Sequence, residues 1–222
     1  MKDMNGESSE SGVTGDTGPS RVSSADGVRG AAGSAGAGGV WSAGGAPGRG
    51  WRTRPEAPED IPAVRRLVLA AFDDVEGADG TEADLVDALR RDPAAWLPGL
   101  SYVADAPDGT LAAQALLTRC HIGEVPAVAL APCAVLPGYQ KRGAGGAVIR
   151  ALLEAARAAG ERTAIVLGHP PYYPRFGFEP AASRFGVLPP QAWPDEAFMA
   201  LSLDGSIPPR GTVRYAAAFG IR

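Results

Sequence analysis

The feature that most constrains this chain of 222 residues is the order of segments between residues 125 and 178. Val125–Val135 is apolar and uncharged, and Gln140–Gly146 is a glycine-containing loop that leads into an Ala- and Leu-rich segment ending at Ala159. Thr163–Leu167 is a second short apolar segment. This order predicts a buried strand, a loop, a helix and a second strand, which form a βαβ unit with the two strands parallel and adjacent.

The first apolar segment contains Pro132, which has no backbone N–H to donate to a sheet. Proline within a strand is found at a bulge or at an unpaired edge. We therefore expect the sheet to open near Pro132 and to leave backbone groups there for a ligand.

The loop Gln140–Gly146 predicts an anion site, because a strand that leads through glycines onto a helix N-terminus brings backbone N–H groups and a positive helix end together. A Walker loop needs Gly-Lys-Ser/Thr, whereas Ala144 and Gly145 follow Gly143. A dinucleotide fingerprint needs a third glycine where Val148 stands. Both of these phosphate loops are excluded.

The rest of the chain supplies further segments with strand or helix patterns. Strands are predicted at Trp51–Arg54, Leu100–Asp105, Thr110–Leu117, Arg184–Leu188, Ala197–Leu203 and Thr212–Phe219, and helices at Pro58–Phe72 and from Thr81 onwards. The whole order predicts an α/β fold with one sheet of mixed strand direction.

Residues 1–50 hold 14 of the 30 glycines and few large apolar side chains. Such a Gly/Ser/Ala-rich segment buries too little surface to offset its ordering entropy, so we expect a disordered tail. It lacks the basic and apolar regions of a signal peptide. Residues 51–222 are long enough for one domain with its own core.

The formal net charge of −4 and the lack of a basic cluster argue against a nucleic-acid partner. No segment is long and apolar enough to predict a membrane partner. The two cysteines, Cys120 and Cys133, form no metal pattern and indicate reduced thiols in a cytoplasmic protein. We expect no metal, and the acidic balance weakly favours cationic substrates such as amines.

Two motifs resemble the GNAT superfamily of acetyl-CoA-dependent N-acetyltransferases. The matching residues are Ala134, Val135, Gln140, Gly143 and Gly145, followed 30 residues later by Tyr173-Pro174-Arg175-Phe176-Gly177-Phe178. The second motif is similar to that of a bacterial group with Tyr-Tyr-x-Arg-Phe-Gly-Phe. The resemblance covers residues 51–180 and implies a mixed, mostly antiparallel central sheet with helices on both faces and a splayed parallel strand pair.

The resemblance also implies how the cosubstrate acetyl-CoA would be held. Backbone groups of Cys133, Ala134 and Val135 would bind the pantetheine arm as a neighbouring strand would. The pyrophosphate would be bound by backbone N–H groups of Gln140, Lys141, Arg142, Gly143, Ala144, Gly145 and Gly146. Lys141 and Arg142 could add charge-assisted contacts, or could simply solvate the loop.

Tyr173 is the candidate for proton chemistry, because a phenol near the sulfur can protonate the departing thiolate. The alternative is that Tyr173 packs in the core beside Tyr172 and Phe176. The chain departs from the family at Ala129, where members with a glutamate base place that residue. The candidates left for the base are Glu124, His121, Glu76, His169, a C-terminal carboxylate or a chain of water molecules.

The sequence therefore predicts transfer of an acetyl group from acetyl-CoA to a primary amine of a small molecule or protein, by direct attack. An acyl-CoA-binding regulatory module with little or no catalysis is the alternative, which the alanine at position 129 supports. The identity of the amine, the length of the acyl group and the oligomeric state stay open, with a homodimer among the assemblies considered.

Overall fold

The computed structural model describes residues 50–73 and 81–221. The predicted disorder of the N-terminal tail concerns residues that lie outside the described part, apart from Gly50. The strands are β1 (Arg52–Pro55), β2 (Trp96–Asp105), β3 (Leu111–Ile122), β4 (Val125–Val135), β5 (Thr163–Leu167), β6 (Glu179–Pro180), β7 (Val187–Leu188), β8 (Phe198–Ser202) and β9 (Gly211–Arg214). The α-helices are α1 (Ile61–Phe72), α2 (Glu82–Arg91), α3 (Ala144–Ala158) and α4 (Ala181–Phe185).

The central sheet has the strand order β1-β2-β3-β4-β5-β8-β6. All of these neighbours are antiparallel except β4 and β5, which are parallel. β9 pairs with the end of β3, where β2 no longer reaches, and with β7. The predicted mixed, mostly antiparallel sheet with one parallel pair is confirmed.

Helices cover both faces of the sheet. On one face, α3 buries Val148, Ile149 and Leu152 against apolar side chains of β2 to β4. On the other face, α1 and α2 pack over side chains such as Val103 and Leu116, together with Phe219 near the C-terminus. Apolar residues at helical spacing explain the inward faces of these helices.

The parallel strands β4 and β5 form a splayed pair. Their register contains two residue pairs, Val128 with Ala164 and Ala129 with Ile165. Beyond these pairs β4 continues for six residues on the β3 side, while β5 stays paired with β8 along its whole length. The two halves of the sheet therefore separate into a cleft, as expected from the sequence.

Pro132 lies three residues beyond the last residue of β4 that pairs with β5. The β3–β4 register shifts there, because Leu117 pairs with Leu130 and Ala115 pairs with Cys133. Two residues of β4, Ala131 and Pro132, thus oppose one residue of β3, which is the arrangement of a β-bulge. The prediction of a bulge at this proline is confirmed.

The C-terminal third departs most from the predicted elements. Of the strand predicted at Arg184–Leu188, only the last two residues form a strand, β7, because the first two end helix α4 and Gly186, at φ 73°, separates the two elements. The strand predicted at Thr212–Phe219 stops at Arg214, and a 3₁₀ turn forms at Ala217–Phe219. Short elements between glycines and prolines are fixed by tertiary packing more than by periodicity.

Candidate functional site

The loop between β4 and α3 combines several unusual backbone conformations. Pro137–Tyr139 forms a 3₁₀ turn, and Gln140 is extended. Lys141 has φ 59° and Gly143 has φ 93°, so both lie in the left-handed region. A side-chain-bearing residue such as Lys141 adopts this conformation at a cost of about 1–2 kcal/mol, which surrounding contacts have to offset.

Helix α3 begins at Ala144 without a side-chain cap. Its first recorded main-chain bond runs from the N–H of Ala147 to the carbonyl of Gly143 at 2.9 Å. The N–H groups of Ala144, Gly145 and Gly146 precede that bond and therefore have no intrahelical acceptor. These three amides, together with the positive end of the helix, give the predicted anion site a physical basis.

The predicted loop residues do not all present their N–H groups in the same way. The Gln140 N–H already donates to the carbonyl of Pro137 at 3.4 Å, and its side-chain Nε2 donates to the carbonyl of Val135 at 3.3 Å. Lys141 and Arg142 are exposed, so their cations are available beside the helix start. Unpaired N–H groups are therefore expected at residues 143–146, and Gln140 closes the loop through its bonds to Pro137 and Val135.

Gly145 is tightly enclosed. A Cβ at this position would lie 3.0 Å from Oη of Tyr172 and 3.2 Å from Cγ2 of Val135. The end of β4, the start of α3 and the Tyr172 phenol therefore meet at a glycine. Glycine at position 145 therefore allows the start of α3 to pack closely against β4 and Tyr172, because a side chain there would collide with both.

The Tyr-rich motif folds into a turn that packs beside Gly145. A 3₁₀ turn spans Tyr173–Phe176 and ends at Gly177, whose φ is 93°. Arg175 donates from Nε to the carbonyl of Tyr172 at 2.9 Å, and its guanidinium lies 4.2 Å from the centre of the Tyr172 ring. The two sequence motifs are brought together by the fold, and Tyr172 is a neighbour of the glycine loop that the sequence did not single out.

Tyr173 is 2 % exposed and lies inside an aromatic cluster. Its ring meets those of Tyr172 and Phe178 edge to face, with centroids 5.2 and 5.9 Å apart. A Cβ at Gly168 would come within 2.1 Å of Cε2 of Tyr173, so the ring fills the space left by that glycine. This position suits a packing role as well as a role in proton transfer, and the catalytic role of Tyr173 stays a prediction.

The predicted pantetheine-binding residues lie on β4 after the bulge. Cys133, Ala134 and Val135 pair with β3 on one side, where their partners are Ala115, Gln114 and Ala113. On the other side the register with β5 has already ended at Ala129. Within the described residues, this edge of β4 borders the cleft, and the proposed binding by backbone groups stays a prediction.

The candidates for the general base are scattered. Ala129 is buried and pairs with Thr118 and Ile165, so no carboxylate stands at the family position. Glu124 is exposed, and its carboxylate accepts a hydrogen bond from the Arg214 guanidinium at 2.7 Å. That ion pair lowers the pKa of Glu124.

The distances along the strand argue further against two of these candidates. Glu124 is seven residues before Ala131, roughly 23 Å along an extended strand. His121 lies at the same end of the sheet, opposite Pro126 and Arg214. Glu76 lies outside the described residues. His169 is exposed and follows β5, so it is nearest in sequence to the cleft.

A second lining of the cleft comes from the C-terminal part of the chain. A small cavity of about 10 Å³, enough for one water-sized group, is lined by Leu130, Ala131, Leu167, Trp193, Tyr215, Phe219 and Ile221. Tyr215 is the titratable residue of this lining, and burial raises the pKa of its phenol well above the ordinary value. We refer to this set as the C-terminal lining.

Neighbouring rings hold the C-terminal lining together. Trp193 contacts Tyr215 at 6.0 Å between centroids, and Tyr215 contacts Phe219 at 5.2 Å. Cys120 packs in the adjoining part of the core, and burial raises the pKa of its thiol. The sequence analysis did not identify this group, since its members come from β4, β5 and three separate C-terminal segments.

Residues 50–73 and 81–221 contain neither a metal-binding cluster nor a membrane-spanning helix. No group of three or more His, Cys, Asp or Glu side chains there is arranged to hold a metal ion. No helix in the same part of the chain has the length and apolarity needed to cross a membrane.

The comparisons with known proteins agree with this geometry. The model of the acetyltransferase (GNAT) family matches residues 63–178. The uncharacterized N-acetyltransferase YjhQ of Escherichia coli strain K12 is 44% identical over 119 residues, which are 52% of this chain and 65% of that protein. The chain thus matches slightly less than two thirds of the length of this curated relative.

Two solved structures are similar over most of their length. A GNAT family acetyltransferase from Brucella melitensis in complex with acetyl-CoA is 34% identical, with a TM-score of 0.63, and the match covers 76% of this chain and 97% of that one. The GNAT family N-acetyltransferase YhbS from Escherichia coli in complex with CoA is 27% identical, with a TM-score of 0.65, and the match covers 77% and 92% of the two chains.

Proposed function

The chain belongs to the acetyltransferase (GNAT) family, and from this premise we propose that it transfers the acetyl group of acetyl-CoA to a primary amine of a small molecule or protein. The observation that carries the proposal is the cleft between β4 and β5, which begins after two residue pairs and has the uncapped start of α3 beside it. A cleft of this kind offers backbone hydrogen-bonding groups on one wall and an anion site at its end.

The pantetheine arm lies along β4 after the bulge. Cys133 and Val135 direct their backbone groups toward the cleft, because β5 no longer pairs with β4 there and successive residues of a strand alternate between its two neighbours; Ala134 directs its backbone groups toward β3. An extended amide chain that adds to a strand edge gains main-chain hydrogen bonds without needing particular side chains. The relatives solved with acetyl-CoA and with CoA support this placement.

The diphosphate binds at the start of α3. The N–H groups of Ala144, Gly145 and Gly146 provide donors that need no reorganisation, and Gly143 at φ 93° directs the chain into the helix. Lys141 and Arg142 add positive charge at the rim. Because these cations are exposed, each contributes less than the backbone donors at physiological ionic strength.

The chemical step is direct attack of the neutral amine nitrogen on the thioester carbonyl carbon. A C–N bond forms, the C–S bond breaks, and the electron pair of that bond leaves with sulfur. Tyr173 donates its phenol proton to the departing sulfur, as a neutral group held by packing against Tyr172 and Phe178. The nitrogen then loses its extra proton to solvent, because Ala129 has no side chain that could act as the base.

The reaction belongs in the cytoplasm, with acetyl-CoA and an amine as the two partners. Cys120 and Cys133 are buried and form no disulfide, which suits a reducing compartment.

The second candidate function is an acyl-CoA-binding regulatory module. The specific observation in its favour is Ala129, which is buried at the position where other family members carry a glutamate base. Such a module would bind CoA with similar affinity and would not acetylate amines. Binding alone therefore does not separate the two functions, and a turnover measurement has to follow.

The first test is thermal unfolding of the full chain with acetyl-CoA, CoA or NAD. A ligand at 100 times its dissociation constant stabilises the folded state by about 2.7 kcal/mol. For a domain of this size, that stabilisation raises Tm by several degrees. We expect a rise with acetyl-CoA and CoA and no rise with NAD. No response to millimolar CoA would refute both candidate functions.

The second test is a panel of primary amines with acetyl-CoA, with release of free thiol as the measurement. Turnover with any amine that exceeds spontaneous hydrolysis supports the transferase. Tight CoA binding with no turnover across small amines and peptide N-termini would favour the regulatory module instead.

A further inference from the structure

Trp51 makes a contact with the glycine loop that spans 91 positions of sequence. Its indole Nε1–H donates to the carbonyl oxygen of Arg142 at 3.0 Å. The indole ring also meets the ring of Tyr139 edge to face, with centroids 6.0 Å apart. Trp51 directly precedes β1, so a residue at the far edge of the sheet reaches the loop between β4 and α3.

The hydrogen bond to Arg142 fixes the orientation of the next amide. The peptide bond between Arg142 and Gly143 is trans, so its carbonyl and its N–H point in opposite directions. Because the indole holds the carbonyl, the N–H of Gly143 faces away from Trp51. Gly143 is the residue that leads into α3, and its N–H adjoins those of Ala144 to Gly146.

The loop needs such an external constraint. Lys141 lies in the left-handed region at φ 59°, which a residue with a side chain rarely adopts, and Gly143 lies there at φ 93°, which glycine adopts without strain but also leaves readily. The Gln140 side chain secures the start of the loop by its bond to the Val135 carbonyl. Trp51 secures its end.

A second link connects the same place to the β2–β3 turn. The Tyr139 hydroxyl donates to Oδ2 of Asp108 at 2.6 Å, and this bond lowers the pKa of the Asp108 carboxyl. The Arg142 guanidinium lies 5.8 Å from the centre of the Tyr139 ring. The loop is therefore tied to β1 through Trp51 and to the turn at Asp108 through Tyr139.

We propose that Trp51 is a positioning residue that holds the glycine loop in the conformation that receives the diphosphate of coenzyme A. This inference rests on the proposed function. Trp51 acts through the backbone of Arg142 and Gly143 and does not touch the reacting atoms. Its effect therefore falls on ligands that carry the diphosphate and spares ligands that carry the pantetheine arm alone.

The test compares Trp51→Phe with the wild-type full chain and with Trp96→Phe. Phenylalanine keeps an aromatic ring against Tyr139 and removes the N–H donor. Trp96 lies on the other face of the sheet, below the Arg90 guanidinium, and controls for the loss of an indole. The probes are CoA, measured by calorimetry, and pantetheine, measured by ligand-observed NMR titration because its binding is weak.

We expect Trp51→Phe to raise the Kd of CoA about fivefold or more, which is the effect of losing one net hydrogen bond. The Kd of pantetheine changes less than twofold, and Trp96→Phe changes neither. An unchanged Kd for CoA overturns the inference. An equal rise in the Kd values of CoA and pantetheine overturns it as well. A wild-type chain that binds no CoA refutes the proposed function itself, which is a different result.

A second variant keeps the inference testable where Trp51→Phe does not fold. Tyr139→Phe removes the bond to Asp108 and keeps the ring that Trp51 contacts. It is expected to weaken CoA binding by a smaller factor with the same selectivity over pantetheine. Equal weakening of CoA and pantetheine in this variant also counts against a positioning role.

Discussion

The two linings of the cleft are built by different means. The glycine loop presents backbone N–H groups at the start of α3, held by hydrogen bonds to main-chain carbonyls of Val135 and Arg142. The C-terminal lining presents aromatic and aliphatic side chains around a cavity of about 10 Å³. Binding by main-chain N–H groups does not depend on which side chains the loop carries. The shape of the C-terminal lining, in contrast, changes with every side chain that is replaced. This difference predicts that binding of the acetyl donor and choice of the amine acceptor are separable in this chain.

The largest expected effect comes from Gly168→Ala, on the side of the glycine loop. The new Cβ would overlap Cε2 of Tyr173 at 2.1 Å, so the ring or the backbone has to move. We expect a loss of about 3 kcal/mol of unfolding free energy and at least a hundredfold lower turnover, because a displaced phenol no longer meets the sulfur. Thermal unfolding and kcat are the measurements.

Gly138→Ala is the matched control for this substitution. Gly138 also lies near the glycine loop, but a Cβ there would meet nothing within 4 Å. It should leave both stability and turnover near wild type. If Gly168→Ala behaves in the same way, the enclosed packing of Tyr173 is not required for activity.

The next effect, from Phe219→Ala, tests the C-terminal lining. Phe219 is 5 % exposed and packs on the ring of Tyr215. Removing it costs about 3 kcal/mol of stability and enlarges the cavity. We expect the Kd of CoA to stay within about twofold of wild type, because Phe219 is not one of the proposed CoA-binding residues. The range of amines accepted should widen toward bulkier ones.

Ile207→Ala serves as the control for Phe219→Ala, since Ile207 is 84 % exposed and its truncation changes no packing. Calorimetry with CoA and the amine panel give the two measurements. A loss of CoA affinity in Phe219→Ala as large as its loss of stability would break the separation between the two linings.

Tyr173→Phe tests the proposed proton donor beside the glycine loop, because it removes the hydroxyl and keeps the ring. We expect kcat to fall about a hundredfold, the lower end of what a positioned acid contributes. The Kd of acetyl-CoA and Tm should stay nearly unchanged, since the ring still packs against Tyr172 and Phe178. Loss of acetyl-CoA binding in this variant would assign Tyr173 to structure.

The smallest effect is a pH dependence that arises on the C-terminal side. Burial raises the pKa of Cys120 above its ordinary value of 9.0 and that of Tyr215 above its ordinary value of 10.0. Because the folded state binds these protons more tightly than the unfolded chain does, the free energy of unfolding keeps its full value below about pH 9. It falls as pH rises above that value, while the unfolded chain ionises.

Cys120→Ala isolates the thiol part of this dependence. Between pH 9 and 10 the wild type should lose about 1 kcal/mol more unfolding free energy than the variant, because one group titrates in the unfolded chain alone. Urea unfolding at a series of pH values measures the difference. Identical slopes in the two proteins would show that Cys120 ionises equally in both states.

The elements that the sequence predicted well are those with a continuous local pattern. β4 and β5 have the predicted bounds, and α3 ends within one residue of its predicted end. The proline in β4 correctly indicated a bulge, because a missing N–H is a property of the residue itself. The strand predicted at Arg184–Leu188 was correct only for its last two residues, since a five-residue segment has too few repeats to separate helix from strand.

The residues of the site also differ in whether a local sequence pattern could identify them. The glycine loop was recognisable because glycines, a preceding strand and a following helix stand next to one another in sequence. Trp51 carried no such signal, since its partner Arg142 lies 91 positions away. A tryptophan at the edge of a Gly-rich tail was a hint, because an indole N–H usually finds an acceptor when its ring is packed. The identity of that acceptor depends on the fold.

The sequence by itself determined the family, the βαβ unit with its glycine loop, and the opening of the sheet near Pro132. Local chemistry is sufficient for these, because backbone geometry and missing donors act over a few residues. The tertiary structure alone decided that Trp51 reaches Arg142, that Tyr172 lies against Gly145, and that Trp193, Tyr215 and Phe219 close one side of the cleft. Contacts between distant segments follow from how the two halves of the sheet separate and pack, which no local pattern specifies.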